Sequence, residues 1–247
     1  MMRPARLVLL LALLAGALHP AGKYNTILDA GAKAPGFANL PAVDGKTYAL
    51  ADFKEDVVVL AFLANHCPWV RGGDKDLVQL VRDFKGKSVR VIGLGVNLRP
   101  DDVLPAMREH AVKAGYNFVY LHDATQETGR RYGATRTPEF FVLNRERRIV
   151  YMGLLHNSPP QMLRDGSVRY TNGPPTQHYV RDAVQAARGT RHSPAAHLPA
   201  QHRASTPHCP SAVHAAHWPA THARPSGQSP LLAHAAAPEE LAPPGAA

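Results

Sequence analysis

The sequence predicts an α/β fold in which a mixed central sheet is covered by helices on both faces, and three observations carry that expectation. Two strand-length runs, Asp56 to Ala64 and Val89 to Val96, are apolar almost throughout, as strands buried on both faces are. Amphipathic segments of helical spacing alternate with such runs. A hairpin and a closing amphipathic helix follow them. With 247 residues, 45% of them hydrophobic, the chain is long enough for one large domain or two small ones.

The elements follow in chain order. Phe37 to Leu50, with Asp44-Gly45 at its centre, reads as an added N-terminal β-hairpin at one edge. After the first buried strand, Trp69, Val70, Leu77, Val78, Leu80, Val81 and Phe84 recur at helical spacing. Pro68 suits the first turn of that helix, where no amide partner is needed, and Gly72-Gly73 is expected to weaken or bend it. Behind the second strand, Arg99-Pro100-Asp101-Asp102 carries cap and first-turn signals for a helix that Gly115 ends. Phe118 to His122 is a third strand, and Thr125 to Tyr132 a short helix closed by Gly133. Glu139 to Leu143 and Arg148 to Met152 form a hairpin about residues 144–147. His156 to Pro175 reads as a long loop, either a substrate rim or an insertion, and His178 to Arg188 as the last helix.

Both ends differ from this domain, which spans residues 24–189. Arg3 and Arg6 precede a short apolar run, Leu7 to Leu18, and the small residues Ala15, Gly16 and Ala17. That pattern predicts a secretory signal peptide over residues 1–21, with an uncleaved anchor as the alternative. A secreted or periplasmic location is the expectation, with no membrane attachment after cleavage and a compartment that permits thiol oxidation. Residues 190–247 hold eight of the 14 His and ten of the 22 Pro, with little to bury, and read as a disordered tail. Weak metal capture, a partner segment or a reading-frame artefact are the other readings of that tail.

Composition excludes several classes. Two cysteines, Cys67 and Cys209, build no disulfide framework, and without a Cys-x-x-Cys pair no structural zinc site is expected. The net charge of +9 is scattered along the chain, so nucleic acid is not an expected partner. No cofactor and no metal are predicted.

The chemistry concentrates at Cys67, which sits where a buried strand gives way to a helix N-terminus. There the unpaired amides and the helix dipole stabilise a thiolate, so its pKa should fall below the free value of about 8.5. The fixed first turn should point the sulfur outward. The alternative is that Cys67 is a small buried apolar residue.

Three stretches carry a resemblance: Ala64-Asn65-His66-Cys67-Pro68-Trp69-Val70, Asp123 to Glu127, and Tyr132 to Phe141 with Arg136-Thr137-Pro138 at its centre. Together they resemble the thioredoxin-like redoxins of the alkyl hydroperoxide reductase and thiol-specific antioxidant group. The likeness is to a peroxiredoxin-like branch that typically reads Cys-Asn-His-Cys-Pro at this turn. It runs from about Gly31 to Arg188, including Gly31 to Phe37 and Asp44 to Leu50. It implies a thioredoxin-like fold in which Thr137-Pro138 is a cis peptide facing Cys67, with Thr137 backbone groups free to pair with an extended substrate.

Ala64 departs from that pattern. Thioredoxin-type exchange needs one sulfur to attack and a second, three residues away, to resolve, and Ala64 occupies the first position. A peroxiredoxin carries Thr or Ser three residues before its cysteine and Pro four before that, where this chain has Ala64 and Leu60. What remains is a single thiol with His66 beside it and Arg136 next to the expected cis-proline. Either cation is able to favour the thiolate, and Arg136 to polarise a peroxide oxygen. Otherwise His66 is a solvent-facing turn residue and Arg136 a surface charge.

The expected activity is that of a thiol-dependent oxidoreductase or antioxidant peroxidase. Cys67 would act on a peroxide or disulfide substrate and be recycled by an external thiol reductant. Cys209, distant in sequence, is a possible but entropically disfavoured resolving thiol. The competing reading is a redox-silent binding module that keeps the Pro138 groove for extended peptides.

Overall fold

The computed structural model describes residues 25–189 and 209–210. The expected signal peptide, and the tail apart from Cys209–Pro210, lie outside the described residues. The chain divides into two units at Ala216, and every described residue belongs to the first.

Eleven short or long strands and four α-helices make up the described part. A small hairpin, β1 (Leu40–Pro41) and β2 (Thr47–Tyr48), comes first, as expected. The Asp44 carboxylate accepts the Lys46 amide at 3.0 Å inside its turn. The five-stranded sheet has the order β5-β4-β3-β7-β8. Its members are β3 (Val57–Leu63), β4 (Val89–Gly95), β5 (Val119–His122), β7 (Glu139–Leu143) and β8 (Ile149–Gly153). β3 pairs in parallel with β4, and β4 with β5; β7 runs antiparallel to β3 and β8. The sheet is therefore mixed, as its sequence pattern requires.

Because strand side chains alternate in direction, β3 feeds two cores at once. Val57, Val59, Ala61 and Leu63 join one cluster and Val58, Leu60 and Phe62 the other, with all seven residues buried. The first cluster packs against α1 (Pro68–Asp83), α2 (Leu104–Ala114) and α4 (Tyr179–Gly189) through Trp69, Leu77, Met107, Val180 and Val184. The second meets α3 (Glu127–Tyr132) through Tyr132 and the N-terminal segment through Phe37, Leu50 and Phe53. Phe62, Tyr132 and Phe141 have ring centroids 5.2–5.6 Å apart, tilted or edge-on. Each such pair adds about 0.5–1.5 kcal/mol beyond area burial.

Three expectations change in detail. Pro100–Asp102 forms a separate 3-10 turn, and α2 begins only at Leu104, with Pro105 in its first turn. α1 runs without a break from Pro68 to Asp83 through the glycine pair that was expected to weaken or bend it. At Gly72 a Cβ would meet the Pro160 carbonyl and the Met162 amide at 2.8 Å, so its bare backbone is what admits a neighbouring strand. That strand lies in the segment read as a loop. Residues 156–175 contain a hairpin, β9 (Pro160–Met162) and β10 (Val168–Tyr170), laid against α1. Asp76 of α1 holds the segment by accepting the Tyr170 hydroxyl at 2.9 Å and pairing with His156 Nε2 at 3.1 Å.

Two more strands stand apart from the main sheet. β6 (Arg136–Thr137) precedes β7, and β11 (Cys209–Pro210) pairs with it antiparallel. Among the described residues no helix is long and apolar enough to cross a membrane.

Candidate active site at the Cys67 turn

Cys67 is the N-cap of α1, in extended conformation with φ −79° and ψ 119°, and Pro68 occupies the next position. The turn before it is closed by the Cys67 amide on the Ala64 carbonyl at 3.1 Å. The Cys67 carbonyl then receives the Val70 and Arg71 amides, both at 3.0 Å, as the helix begins. The Cys67 side chain makes no capping hydrogen bond to the first amides of the helix, of which that of Trp69 is the second. An N-cap side chain ordinarily accepts from that position or the next, so this donor stands where a cap thiolate would be received.

The sulfur itself is not where the sequence placed it. Cys67 is fully buried, packed with Ala64, Trp69 and Val70, instead of pointing outward. Its Sγ donates to the Thr137 carbonyl at 3.4 Å. An acceptor of this kind favours the neutral thiol, whereas the helix terminus favours the thiolate. The two forms thus have different partners at one position.

Thr137 and Pro138 meet Cys67 as the resemblance implied, and their peptide bond is cis. Thr137 is buried, and its Oγ1 has no hydrogen-bond partner among the described residues. Arg136, its neighbour on β6, is partly buried rather than a fully exposed surface charge, and desolvation holds its guanidinium below the ordinary pKa.

His66 is a turn residue with an assigned role for one of its nitrogens. Its Nδ1 faces the carboxylate of Asp102, which can only accept, so Nδ1 carries the proton. Asp102 is itself buried and receives the Asn65 amide at 2.6 Å. Asn65 completes the brace, donating to the Asp101 carbonyl at 2.7 Å and accepting the Tyr120 hydroxyl at 3.1 Å. The polypeptide turn that carries Cys67 is therefore tied to the loop before α2 by a buried carboxylate. Asp102 was legible only as a helix-start acid; its partners Asn65 and His66 lie 37 and 36 positions away and no local pattern announces them.

On one side of the turn lies an apolar pocket lined by Trp69, Pro138, Leu154, Pro159 and Pro160. On the other lies a polar groove with Asn65, His66, Arg71, Lys75 and Arg99 on its walls. Leu154, Leu155, His156, Pro159 and Pro160 thus line the apolar pocket. Among the described residues no group of three or more His, Cys, Asp or Glu could hold a metal ion.

A mixed sheet, a helix capped by cysteine and a cis-proline facing that cap define a thioredoxin-like fold. Residues 29–168 match the Redoxin family, and the chain belongs to it. An uncharacterized conserved protein from Geobacillus kaustophilus is similar at 34% identity and a TM-score of 0.60, over 69% of this chain and 87% of that one. A hypothetical protein from Sinorhizobium meliloti 1021 is similar at 31% identity and a TM-score of 0.58, over 66% of this chain and 85% of its own. A putative thiol:disulfide interchange protein DsbE from Chlorobium tepidum shares the fold, at 24% identity and a TM-score of 0.50, over 66% and 99% of the two chains. No curated protein matches the chain.

Proposed function

We propose that this redoxin is a thiol-dependent oxidoreductase that acts through Cys67 on a hydroperoxide or disulfide, in a secreted or periplasmic setting, and is recycled by an external thiol. The observation that carries the proposal is the placement of Sγ at the N-cap of α1, 3.4 Å from the carbonyl of Thr137 beside Pro138. Deprotonation ends the bond to that carbonyl and leaves the sulfur to accept from the helix terminus.

With a hydroperoxide, the Cys67 thiolate attacks the terminal oxygen. An S–O bond forms, the O–O bond breaks, and the departing alkoxide takes a proton to leave as an alcohol. The external thiol attacks the sulfenic sulfur and expels water, and a second thiol then releases Cys67 while forming the reductant's own disulfide. With a disulfide substrate, the thiolate forms a mixed disulfide and one substrate sulfur leaves as thiol. Arg136 and His66 are the candidate charges near the reacting groups, and Thr137 supplies backbone for an extended substrate. The apolar pocket beyond Pro138 suits a hydrophobic substituent on that substrate.

One observation favours the competing reading, a peptide-binding module without turnover: Cys67 is fully buried and Ala64 removes its usual partner. A coupled assay separates the two. Wild-type protein with dithiothreitol should consume hydrogen peroxide or cumene hydroperoxide, and Cys67→Ser should fall to the uncatalysed rate. Equal rates in the two proteins, with peptide binding retained, would leave only the binding module.

A further inference from the structure

We propose that the polar groove beside the Cys67 turn is the docking site of the recycling thiol, and that this thiol is a small molecule carrying carboxylate groups. The proposal rests on the reading of Cys67 as the reacting thiol and names the class of its reductant.

The groove encloses about 650 Å³, within the range of small-molecule sites, and is walled by residues of α1, α2 and the β9–β10 hairpin. Asn65 and His66, the two residues before Cys67, line it as well, so the groove reaches the turn. Because Asp102 takes His66 Nδ1, the other ring nitrogen is the one left to a ligand.

The charge on its walls is unbalanced. Arg71, Lys75, Arg99 and Lys113 line the groove, are exposed, and have no ion-pair partner among the described residues. Of the three carboxylates there, that of Asp74 is already held, accepting the Tyr116 hydroxyl at 2.7 Å and pairing with His110 Nε2 at 3.2 Å. Four cations therefore face two open carboxylates, Asp101 and Glu109. A cleft with an excess of one sign concentrates ligands of the other.

The cations also stand at a useful distance from the sulfur. Arg71 and Lys75 are four residues apart and share one face of α1. Arg71 is itself four residues after Cys67, about 6 Å along the helix axis. A guanidinium there can hold the carboxylate of a cysteine-like thiol, whose own sulfur is only a few bonds away, against the turn. The apolar pocket beyond Pro138 has no Arg or Lys among its lining residues, so a carboxylate entering it would lose its hydration without compensation. The two openings beside the turn thus sort a hydrophobic substrate from a charged reductant.

The chemistry balances with a hydroperoxide as oxidant. One thiol forms an S–S bond with the sulfenic sulfur of Cys67 as the S–O bond breaks, and its proton leaves with the hydroxide as water. A second molecule of the thiol attacks this mixed disulfide, releases Cys67 and becomes part of the reductant's own disulfide.

The test measures consumption of cumene hydroperoxide by the full chain with N-acetylcysteine or its neutral amide as the reductant. Comparing the same two thiols across proteins cancels their different intrinsic reactivities. In Arg71→Gln combined with Lys75→Gln, the ratio of kcat/KM for the acid to that for the amide should fall about threefold to tenfold, the scale of two exposed charge pairs. Added salt should lower the wild-type ratio in the same direction. Lys85→Gln, exposed just beyond the far end of α1, should keep the wild-type ratio. A wild-type ratio in the double variant, with both thiols still driving consumption, overturns the groove as the reductant site and leaves Cys67 as the reacting thiol. Consumption no faster than in Cys67→Ser with either thiol overturns both.

Discussion

Ala64→Cys should give the protein an internal disulfide and an insulin-reducing activity well above that of wild type. The turn from Ala64 to Cys67 is closed by a backbone hydrogen bond of 3.1 Å, the geometry of a tight four-residue turn. In such a turn the end Cα atoms lie less than about 7 Å apart, which overlaps the 4.4–6.8 Å range of disulfides. The new sulfur enters a buried position among apolar neighbours, at an overpacking cost of about 1–3 kcal/mol at most. A cysteine on the same turn resolves a mixed disulfide intramolecularly, so turnover should exceed wild type by at least about tenfold. The experiment is best made with Cys209→Ser also present, leaving one possible pair. A folded variant that forms no disulfide between positions 64 and 67 would show that the turn lacks the redox geometry assigned to it.

Asp102→Ala should produce the larger loss of stability. The carboxylate is buried and accepts the Asn65 amide at 2.6 Å while orienting His66 Nδ1. Removing it leaves a buried amide without an acceptor, at about 1–3 kcal/mol, and adds the loss of a charge-assisted bond to His66. A total near 2–4 kcal/mol corresponds to a fall in Tm of roughly 5–15 °C for a domain of this size. Asp102→Asn keeps an oxygen for the Asn65 amide but removes the charge facing His66. It should therefore keep most of the stability while changing the reaction rate of Cys67. If both variants melt with wild type, the buried carboxylate does not brace the turn.

Much of this architecture was readable because long elements carry strong periodic signals. The runs around Leu60 and Ile92 are buried on both faces, and Pro68, Gly115 and Gly133 punctuate the helices beside them. The Cys67 turn and Thr137-Pro138 were readable by resemblance. What escaped depends on contacts distant in sequence. The β9–β10 hairpin has three-residue strands that are mostly half-buried or exposed and set among prolines, so no alternation marks it. Gly72 read as a weakness of α1 because the strand that needs it is some ninety positions away. The inward sulfur of Cys67 follows from packing by Trp69 and Val70 and from the Thr137 carbonyl, which its place at a helix start does not reveal. Asp102 and the register of Cys209 are likewise set by tertiary neighbours alone.

The central claim is that the sulfur capping α1 becomes a thiolate more readily than an ordinary cysteine despite its burial. The pH dependence of iodoacetamide alkylation in the single-thiol variant Cys209→Ser measures this directly. Sign is set by the folded-state preference: a helix terminus that stabilises the anion moves the midpoint down, and apolar burial moves it up. A single titration is expected with its midpoint below about 8.5, returning to the ordinary value when the protein is unfolded in urea. A midpoint at or above that of the unfolded chain would contradict it.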